Sequence, residues 1–281
     1  MKPIKAGIGL ALAVLILNCD AFSQPSQGLE YFSIEGPVTA STIKFSVALP
    51  TTYQEGTNNY PVIYFLHGMD GDYGGWHSVW IGDFFRDQTH NGHVPEVILV
   101  FPDGKDGFWG DHFGGDPALE TNLIQELIPH IDRVFRTDTL NRLIMGWSAG
   151  GVGALNFYIH HPEIFRGVVD IDGSTISWEE IQYFQPAEAN KMTNSDSLYY
   201  YKHFMPIPWV GRNKELLLKE GDPSIFMVAS YFKSAHQRFR SLLISHNIPV
   251  RYIELDCEHQ FDCIMLQIKS EMLEFVSSIL N

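Results

Sequence analysis

The chain has 281 residues, of which 45% are hydrophobic, enough for one large domain with a substantial core. Its formal net charge of −14 at pH 7 argues against nucleic acid and anionic membranes as partners, because both would repel an acidic protein. No internal repeat, coiled-coil heptad or low-complexity linker divides the chain, which favours a single domain.

The first 23 residues have the features of a signal peptide. Lys2 and Lys5 form a basic start, residues 6–17 are an apolar run, and Ala21–Ser23 supplies the small residues that signal peptidase recognises. The apolar run is too short to be a permanent membrane anchor. We therefore expect cleavage after Ser23, a mature domain at residues 24–281 and a periplasmic or secreted location without stable membrane insertion. Cys19 leaves a lipoprotein as the alternative, although Asn18 before it is bulkier than such sites usually carry.

Strand and helix patterns alternate along the chain after residue 30. Residues 31–34 and 42–49 alternate like half-buried antiparallel strands. Continuous apolar runs, typical of parallel strands covered on both faces, follow at 61–66, 97–101, 143–145, 168–171, 225–229 and 250–255. Helical patterns fall at 75–87, 119–135, 149–160, 234–246 and 262–280. The chain is therefore predicted to be an α/β protein with a mostly parallel, doubly wound sheet of about eight strands.

Residues 175–223 are the longest stretch without a regular pattern, and they are rich in aromatic side chains. A connection of this length inside a compact domain is usually functional. We expect it to form a cap-like insertion over the functional site, with Trp209 contacting the substrate.

An apolar strand at 143–145 leads into Gly146-Trp147-Ser148-Ala149-Gly150, which has the form G-x-S-x-G, and a helical pattern follows. A sharp strand-to-helix turn exposes a serine hydroxyl to a base, and the two glycines leave room for the close backbone crossing. The first N–H groups of the helix point to where an oxyanion would form. The pattern predicts Ser148 as a catalytic nucleophile.

A base and two oxyanion donors can be assigned around this serine. His259 follows the last predicted strand and precedes the terminal helix, which is the chain order of an acyl-transfer triad with its serine first. One oxyanion donor is expected to be the N–H of Ala149, directly after the nucleophile. The other is expected to be the N–H of Met69, because Gly68 before it permits close backbone approach.

Asp111, His112 and Asp116 lie close together in sequence, but their spacing matches no tight metal-ligand motif. A loop with solvated carboxylates is the favoured interpretation, so we predict neither a metal nor another cofactor. Trp109, His112 and Trp147 are instead expected to line the acyl or sugar pocket.

Five segments have a recognisable order and spacing: Tyr64–Gly68, Phe101–Gly104, Gln125–His130, Gly146–Ala154 and His161–Phe165. Together they resemble the esterase branch of the α/β-hydrolases, which includes S-formylglutathione hydrolases, mycolyltransferases, and acetyl-xylan and feruloyl carbohydrate esterases. The resemblance spans about residues 40–281 and is weakest at 175–223. It implies an α/β-hydrolase fold and a serine esterase with nucleophile Ser148 and base His259. The implied substrate is a small-molecule or polysaccharide-linked ester of the acetyl or feruloyl type, cleaved through an acyl-enzyme.

The chain departs from this family in its third catalytic group. The family's acid normally follows the strand before the last, but residues 228–236 contain no carboxylate. Asp172 is the first candidate to replace it, because it ends the strand one step closer to the nucleophile. Asp170, Asp256 and Glu258 are the alternatives, and Asp172 could equally be a turn residue in Asp172-Gly173-Ser174.

Removal of the leader leaves two cysteines, Cys257 and Cys263, on either side of His259. In an oxidising compartment they could close a small loop, and we favour this disulfide over two unpaired thiols.

Two other functions stay open from the sequence. An acyltransferase on the same fold would pass the acyl group to an acceptor alcohol instead of water. A non-catalytic ligand-binding protein would have kept the scaffold after losing the acid.

Overall fold

The computed structural model describes residues 28–105, 108–173, 175–218 and 223–281. The predicted signal peptide and Cys19 lie outside the described residues. No helix within the described residues is long and apolar enough to span a membrane.

An eight-stranded sheet organises the chain. Its strands are β1 Glu30–Glu35, β2 Thr42–Ala48, β3 Tyr60–Leu66, β4 Ile98–Pro102, β5 Thr137–Trp147, β6 Gly167–Ile171, β7 Ile225–Ala229 and β8 Arg251–Glu254. They lie in the order β1-β2-β4-β3-β5-β6-β7-β8. The β1–β2 and β2–β4 pairs are antiparallel, and all later neighbours are parallel. The predicted fold class is therefore confirmed.

Helices cover both faces of this sheet. They are α1 Trp76–His90, α2 Leu119–Thr121, a π-helical segment Asn122–Leu127, α3 Ile128–Val134, α4 Ala149–His160, α5 Trp178–Phe184, α6 Pro186–Thr193, α7 Ser197–Phe204, α8 Ile207–Val210, α9 Lys214–Leu217, α10 Lys233–Ser245 and α11 Phe261–Leu280. Along β3, Val62 and Tyr64 belong to the buried cluster shared with α4 and α10, whereas Ile63 and Phe65 belong to the cluster shared with α1 and α11. Two covered faces explain why the central strands are continuously apolar.

Two elements differ from the sequence prediction. The helix expected at 119–135 is interrupted by the π-helical segment, which ends shortly before Pro129, a residue without an N–H to donate. The strand expected at 143–145 runs from Thr137 to Trp147, because its polar first half extends beyond the apolar run that marked it.

The stretch expected to be irregular, 175–223, contains five short helices, α5 to α9, within its described residues. Ser177 forms a capping box with Glu180 at the start of α5, and Pro186 opens α6. Buried side chains of α5, α6 and α7 pack against Val152 of α4. This packing places the insertion beside the helix that follows Ser148, and its role as a cap stays a prediction.

Candidate active site

Ser148 lies on the sharp turn between β5 and α4. Its backbone has φ 55° and ψ −120°, a strained conformation for a residue with a side chain. A Cβ on Gly146 would lie 2.0 Å from the Gly150 carbonyl oxygen, and a Cβ on Gly150 would lie 2.0 Å from that of Leu66. Only glycine fits at these two crossings, so the turn that presents the hydroxyl depends on both.

His259 lies within hydrogen-bond distance of both Ser148 and Asp172. Its Nε2 is 2.8 Å from Ser148 Oγ, and its Nδ1 is 2.7 Å from Asp172 Oδ2. The three side chains come from the ends of β5, β6 and β8, which meet at the carboxyl edge of the parallel sheet. The structure thus brings the predicted nucleophile, base and first candidate acid into one hydrogen-bonded chain.

The Asp172 carboxylate is buried and held by the backbone that follows β7. Its Oδ1 accepts hydrogen bonds from the N–H groups of Ser230 at 2.7 Å, Tyr231 at 3.0 Å and Phe232 at 3.3 Å. Burial alone would raise the pKa of Asp172, but the hydrogen bonds from His259, Ser230 and Tyr231 outweigh it and hold the pKa below its usual value. Asp172 is therefore ionised at neutral pH.

The other candidate acids have different partners. Asp170 is buried and its Oδ2 lies 2.9 Å from His236 Nε2. Asp256 is exposed and pairs with Lys233, and Glu258 is exposed. Among the four candidates, Asp172 is the one hydrogen-bonded to His259 within the described residues.

Aromatic rings pack around the His259 imidazole. Trp147 is stacked on it with ring centroids 4.4 Å apart and an interplanar angle of 21°, and Phe232 meets it edge-on at 5.2 Å. Trp147 is only 5% exposed. Its indole contacts the His259 imidazole, whereas the sequence predicted a place in a substrate pocket.

Cys257 and Cys263 form a disulfide with their Cα atoms 5.7 Å apart, so the loop that carries His259 is closed covalently. The Cys257 N–H also donates to Ser230 Oγ at 3.0 Å. The Ser230 N–H donates to Asp172 Oδ1 as well, so Ser230 links Asp172 to the loop that carries His259.

The two predicted oxyanion donors flank the turn. Ala149 is the first residue of α4, so its N–H has no acceptor within the helix. A Cβ on Gly68 would lie 2.9 Å from Trp147 Cδ1 and 3.2 Å from Ser148 Cβ, so the backbone leading to Met69 passes close to the nucleophile.

A cavity of about 410 Å³ opens beside Ser148. Much of its wall is apolar, and a cluster of polar side chains occupies one part of it. There, Arg238 Nη2 lies 3.1 Å from both carboxylate oxygens of Glu180. The lining residues are Met69, Phe108, Ser148, Ala149, Val152, Ile176, Glu180, Ile181, Phe184, Gln185, Tyr231, Phe232, Ser234, Ala235 and Arg238.

Trp109, His112 and Trp209, predicted to bind substrate, do not line this cavity. Trp109 is buried and donates from Nε1 to the His67 carbonyl at 3.0 Å, which supports the loop leading to Met69. His112 is buried against Phe204, and Trp209 packs on His160 at the far end of α4. The wall instead includes Phe108 and, from α5, Ile181 and Phe184, whose place in the site the weak pattern of the insertion concealed.

The three residues weighed as metal ligands do not converge. Asp111 accepts hydrogen bonds from the N–H and the hydroxyl of Thr121, and Asp116 pairs with Lys105 at 3.4 Å. His112 is buried against Phe204, and none of these three residues belongs to a group of three possible metal ligands within the described part of the chain.

Solved structures with the same fold include several hydrolases. A ferulic acid esterase matches with a TM-score of 0.72 at 22% identity, covering 89% of this chain and 98% of that chain. An S-formylglutathione hydrolase from Agrobacterium tumefaciens matches with a TM-score of 0.68 at 18% identity, covering 90% and 95%. A fluorophosphonate-binding serine hydrolase from Staphylococcus aureus matches with a TM-score of 0.70 at 11% identity, covering 89% and 98%. At these identities the likeness establishes the α/β-hydrolase fold.

A comparison with protein families identifies the family as well as the fold. Residues 37–237, well over half of the chain, match the family described as "Putative esterase". The matched region contains the turn at Ser148 and the carboxylate of Asp172. The chain belongs to this family of α/β-hydrolases and is a serine carboxylic ester hydrolase.

Proposed function

We propose that Ser148, His259 and Asp172 are the catalytic triad of this esterase. The observation that carries the proposal is the chain of two hydrogen bonds, 2.8 Å and 2.7 Å, that joins the three side chains beside the cavity. Ser148 Oγ attacks the ester carbonyl carbon while its proton passes to His259 Nε2. Asp172 accepts the Nδ1 hydrogen bond, orients the ring and stabilises the imidazolium that forms.

Backbone donors complete the acylation step. The N–H groups of Ala149 and Met69 bind the oxygen that becomes negative as the tetrahedral intermediate forms, and the start of α4 adds its positive dipole end. His259 then gives its proton to the leaving alcohol as the carbon–oxygen bond breaks. Water attacks the acyl-enzyme with His259 again as base, which releases the acid and restores Ser148.

The preferred acyl group is aromatic and of the feruloyl type. An apolar cavity of about 410 Å³ is larger than an acetyl group can fill, whereas a phenylpropenoyl group would bury its ring against Phe184 and its neighbours. Glu180 and Arg238 offer hydrogen-bonding partners to substituents on the ring. The alcohol part is a carbohydrate, as the resemblance to feruloyl esterases suggests.

The protein acts outside the cytoplasm, in the periplasm or the medium. The signal-peptide pattern at residues 1–23 supports this location, and so does the disulfide beside His259, since disulfides persist in oxidising compartments.

Labelling with a fluorophosphonate tests the nucleophile. We expect the wild-type enzyme to be labelled and the Ser148→Ala variant to be unlabelled. Ser234→Ala is the matched control, because Ser234 lines the same cavity and should leave labelling unchanged. Persistent labelling of Ser148→Ala, or an unlabelled wild type, would overturn the assignment.

Paired substrates test the acyl preference. Phe184 lines the cavity and is 68% exposed, so Phe184→Ala should fold normally. We expect it to lower kcat/KM for methyl ferulate about two- to tenfold, the worth of one aromatic contact, and to leave an aryl acetate unaffected. Tyr183→Ala is the control, because this exposed neighbour does not line the cavity. Equal losses on both esters would contradict an aromatic acyl site.

A further inference from the structure

A second cluster of polar side chains lies at the end of α4 opposite to Ser148. The Glu120 carboxylate oxygen Oε1 is 2.9 Å from His160 Nδ1 and 2.8 Å from His161 Nε2. The side chains of Glu120 and His160 are 13% and 6% exposed, and that of His161 is 27% exposed. The triad does not use any of these residues.

The end of the helix makes the two rings converge. Consecutive residues within a helix point about 100° apart, so their side chains do not share a partner. His160 is the last residue of α4, and His161 leaves the helix with φ −127° and ψ 56°. This break turns the second imidazole to the carboxylate that the first one already contacts. The hydrogen bonds of the two rings bring the ligand atoms of all three residues within 4.8 Å of one another.

Two imidazole nitrogens and one carboxylate oxygen are a ligand set typical of zinc and neighbouring transition ions, and they suit magnesium and calcium poorly. Ligand atoms around a tetrahedral zinc ion lie about 3.3 Å apart, given bond lengths of about 2.0–2.1 Å. Outward movements of a few tenths of an ångström would open the present contacts to that spacing. The negative end of the α4 dipole also favours a cation at this position.

We propose that Glu120, His160 and His161 bind one divalent transition ion of the zinc type. The ion lies between the carboxylate and the two nitrogens that now donate to it, and each imidazole carries its proton on the other ring nitrogen. Water completes the coordination from a surface depression that Asp111, Lys202 and Trp209 also line. The bound ion joins α2 to the end of α4 and stabilises the fold rather than taking part in ester cleavage.

Two isosteric variants test the site. An asparagine amide can occupy the place of a histidine Nδ1, and a glutamine amide can occupy that of Nε2. His160→Asn and His161→Gln therefore keep the hydrogen bonds to Glu120 but lose the metal ligand. We expect chelator-treated wild-type protein to bind one Zn²⁺ per chain in calorimetry, with a melting temperature that rises with Zn²⁺ concentration. Each variant should bind at least about 100-fold more weakly, since even residues outside the coordination shell cost 10–100-fold.

Controls separate this site from other histidines. His90→Gln, at an exposed position on α1, should bind Zn²⁺ like the wild type. Melting of both cluster variants in EDTA should match that of the wild type in EDTA, which shows that they fold. His77 lies on α1 with its ring centroid 6.0 Å from that of Trp147, on the triad side of the molecule. The proposal is overturned if the wild type binds no Zn²⁺, if the cluster variants bind like the wild type, or if binding is lost in His77→Gln.

Discussion

Asp172 takes the place of the third triad group, for which the sequence offered four candidates. The family resemblance places the acid after β7, but residues 228–236 contain no carboxylate. In the structure that segment supplies backbone N–H groups instead, and they hold a carboxylate that extends from the end of β6. The segment after β7 thus contributes to the site through its backbone, a contribution that side-chain patterns do not reveal.

Asp172→Asn tests the role of this carboxylate. The amide can fill the same space, but it cannot stabilise an imidazolium and it disturbs the histidine tautomer. We expect kcat on a small aryl ester to fall by about 10³–10⁴-fold. Asp256→Asn is the control, because Asp256 is exposed and should leave kcat within about twofold. A small effect of Asp172→Asn would contradict a catalytic role for this carboxylate.

His236 should make the stability of the fold depend on pH. Burial lowers its pKa, but the charge of Asp170 and the hydrogen bonds of Asp170 and Phe232 outweigh burial, so the pKa is raised. A raised pKa means that the stabilisation is present below the unfolded value of about 6.5 and is lost as pH rises through the folded value. His236→Gln should therefore lower the free energy of unfolding more at pH 6 than at pH 9. Urea unfolding at both pH values measures the two losses of unfolding free energy. A larger loss at pH 9 would contradict the prediction.

At the scale of elements, the loop between β8 and α11 is constrained at both ends. The Cys257–Cys263 disulfide closes it, and the Cys257 N–H anchors it to Ser230. His259 lies inside this loop, so the covalent constraint limits how far the imidazole can move from Ser148.

Removal of the disulfide should therefore lower both stability and turnover. For a loop this short we expect the double variant Cys257→Ala/Cys263→Ala to lose about 2 kcal/mol of unfolding free energy. A lower kcat on an aryl ester should accompany the loss. Dithiothreitol should bring the wild type towards the variant and leave the variant unchanged. Identical unfolding of oxidised and reduced wild type would contradict a stabilising disulfide.

Most strands and helices were predictable because buried central strands and amphipathic helices leave strong periodic patterns. The turn at Ser148 was predictable as well, since Gly146 and Gly150 are required by close backbone contacts. The five helices of the insertion were not, because each is too short to show a period. The cavity wall was not predictable either, because Ile176, Ile181 and Phe184 line it through tertiary packing that no local pattern encodes.

At the scale of the whole molecule, export predicts a defined mature N-terminus. Expression of the full chain in a Gram-negative host should give a periplasmic protein whose N-terminal sequence begins at Gln24. N-terminal sequencing and intact mass measure this directly. A start at Met1 would contradict export, and a lipid-modified start at Cys19 would show anchoring instead.

The Trp147 indole that stacks on His259 should stabilise the protonated imidazole more than the neutral one. The stacked pair is nearly parallel, at 21°, so the imidazole lies against the negative face of the indole. Once His259 holds the serine proton, that ring is a cation, and a cation–π attraction of about 0.5–2 kcal/mol arises. The neutral imidazole that is present before the proton transfer gains little of this attraction. In the proposed mechanism, Trp147 would therefore favour the protonated form of His259 during the steps in which the tetrahedral intermediates exist.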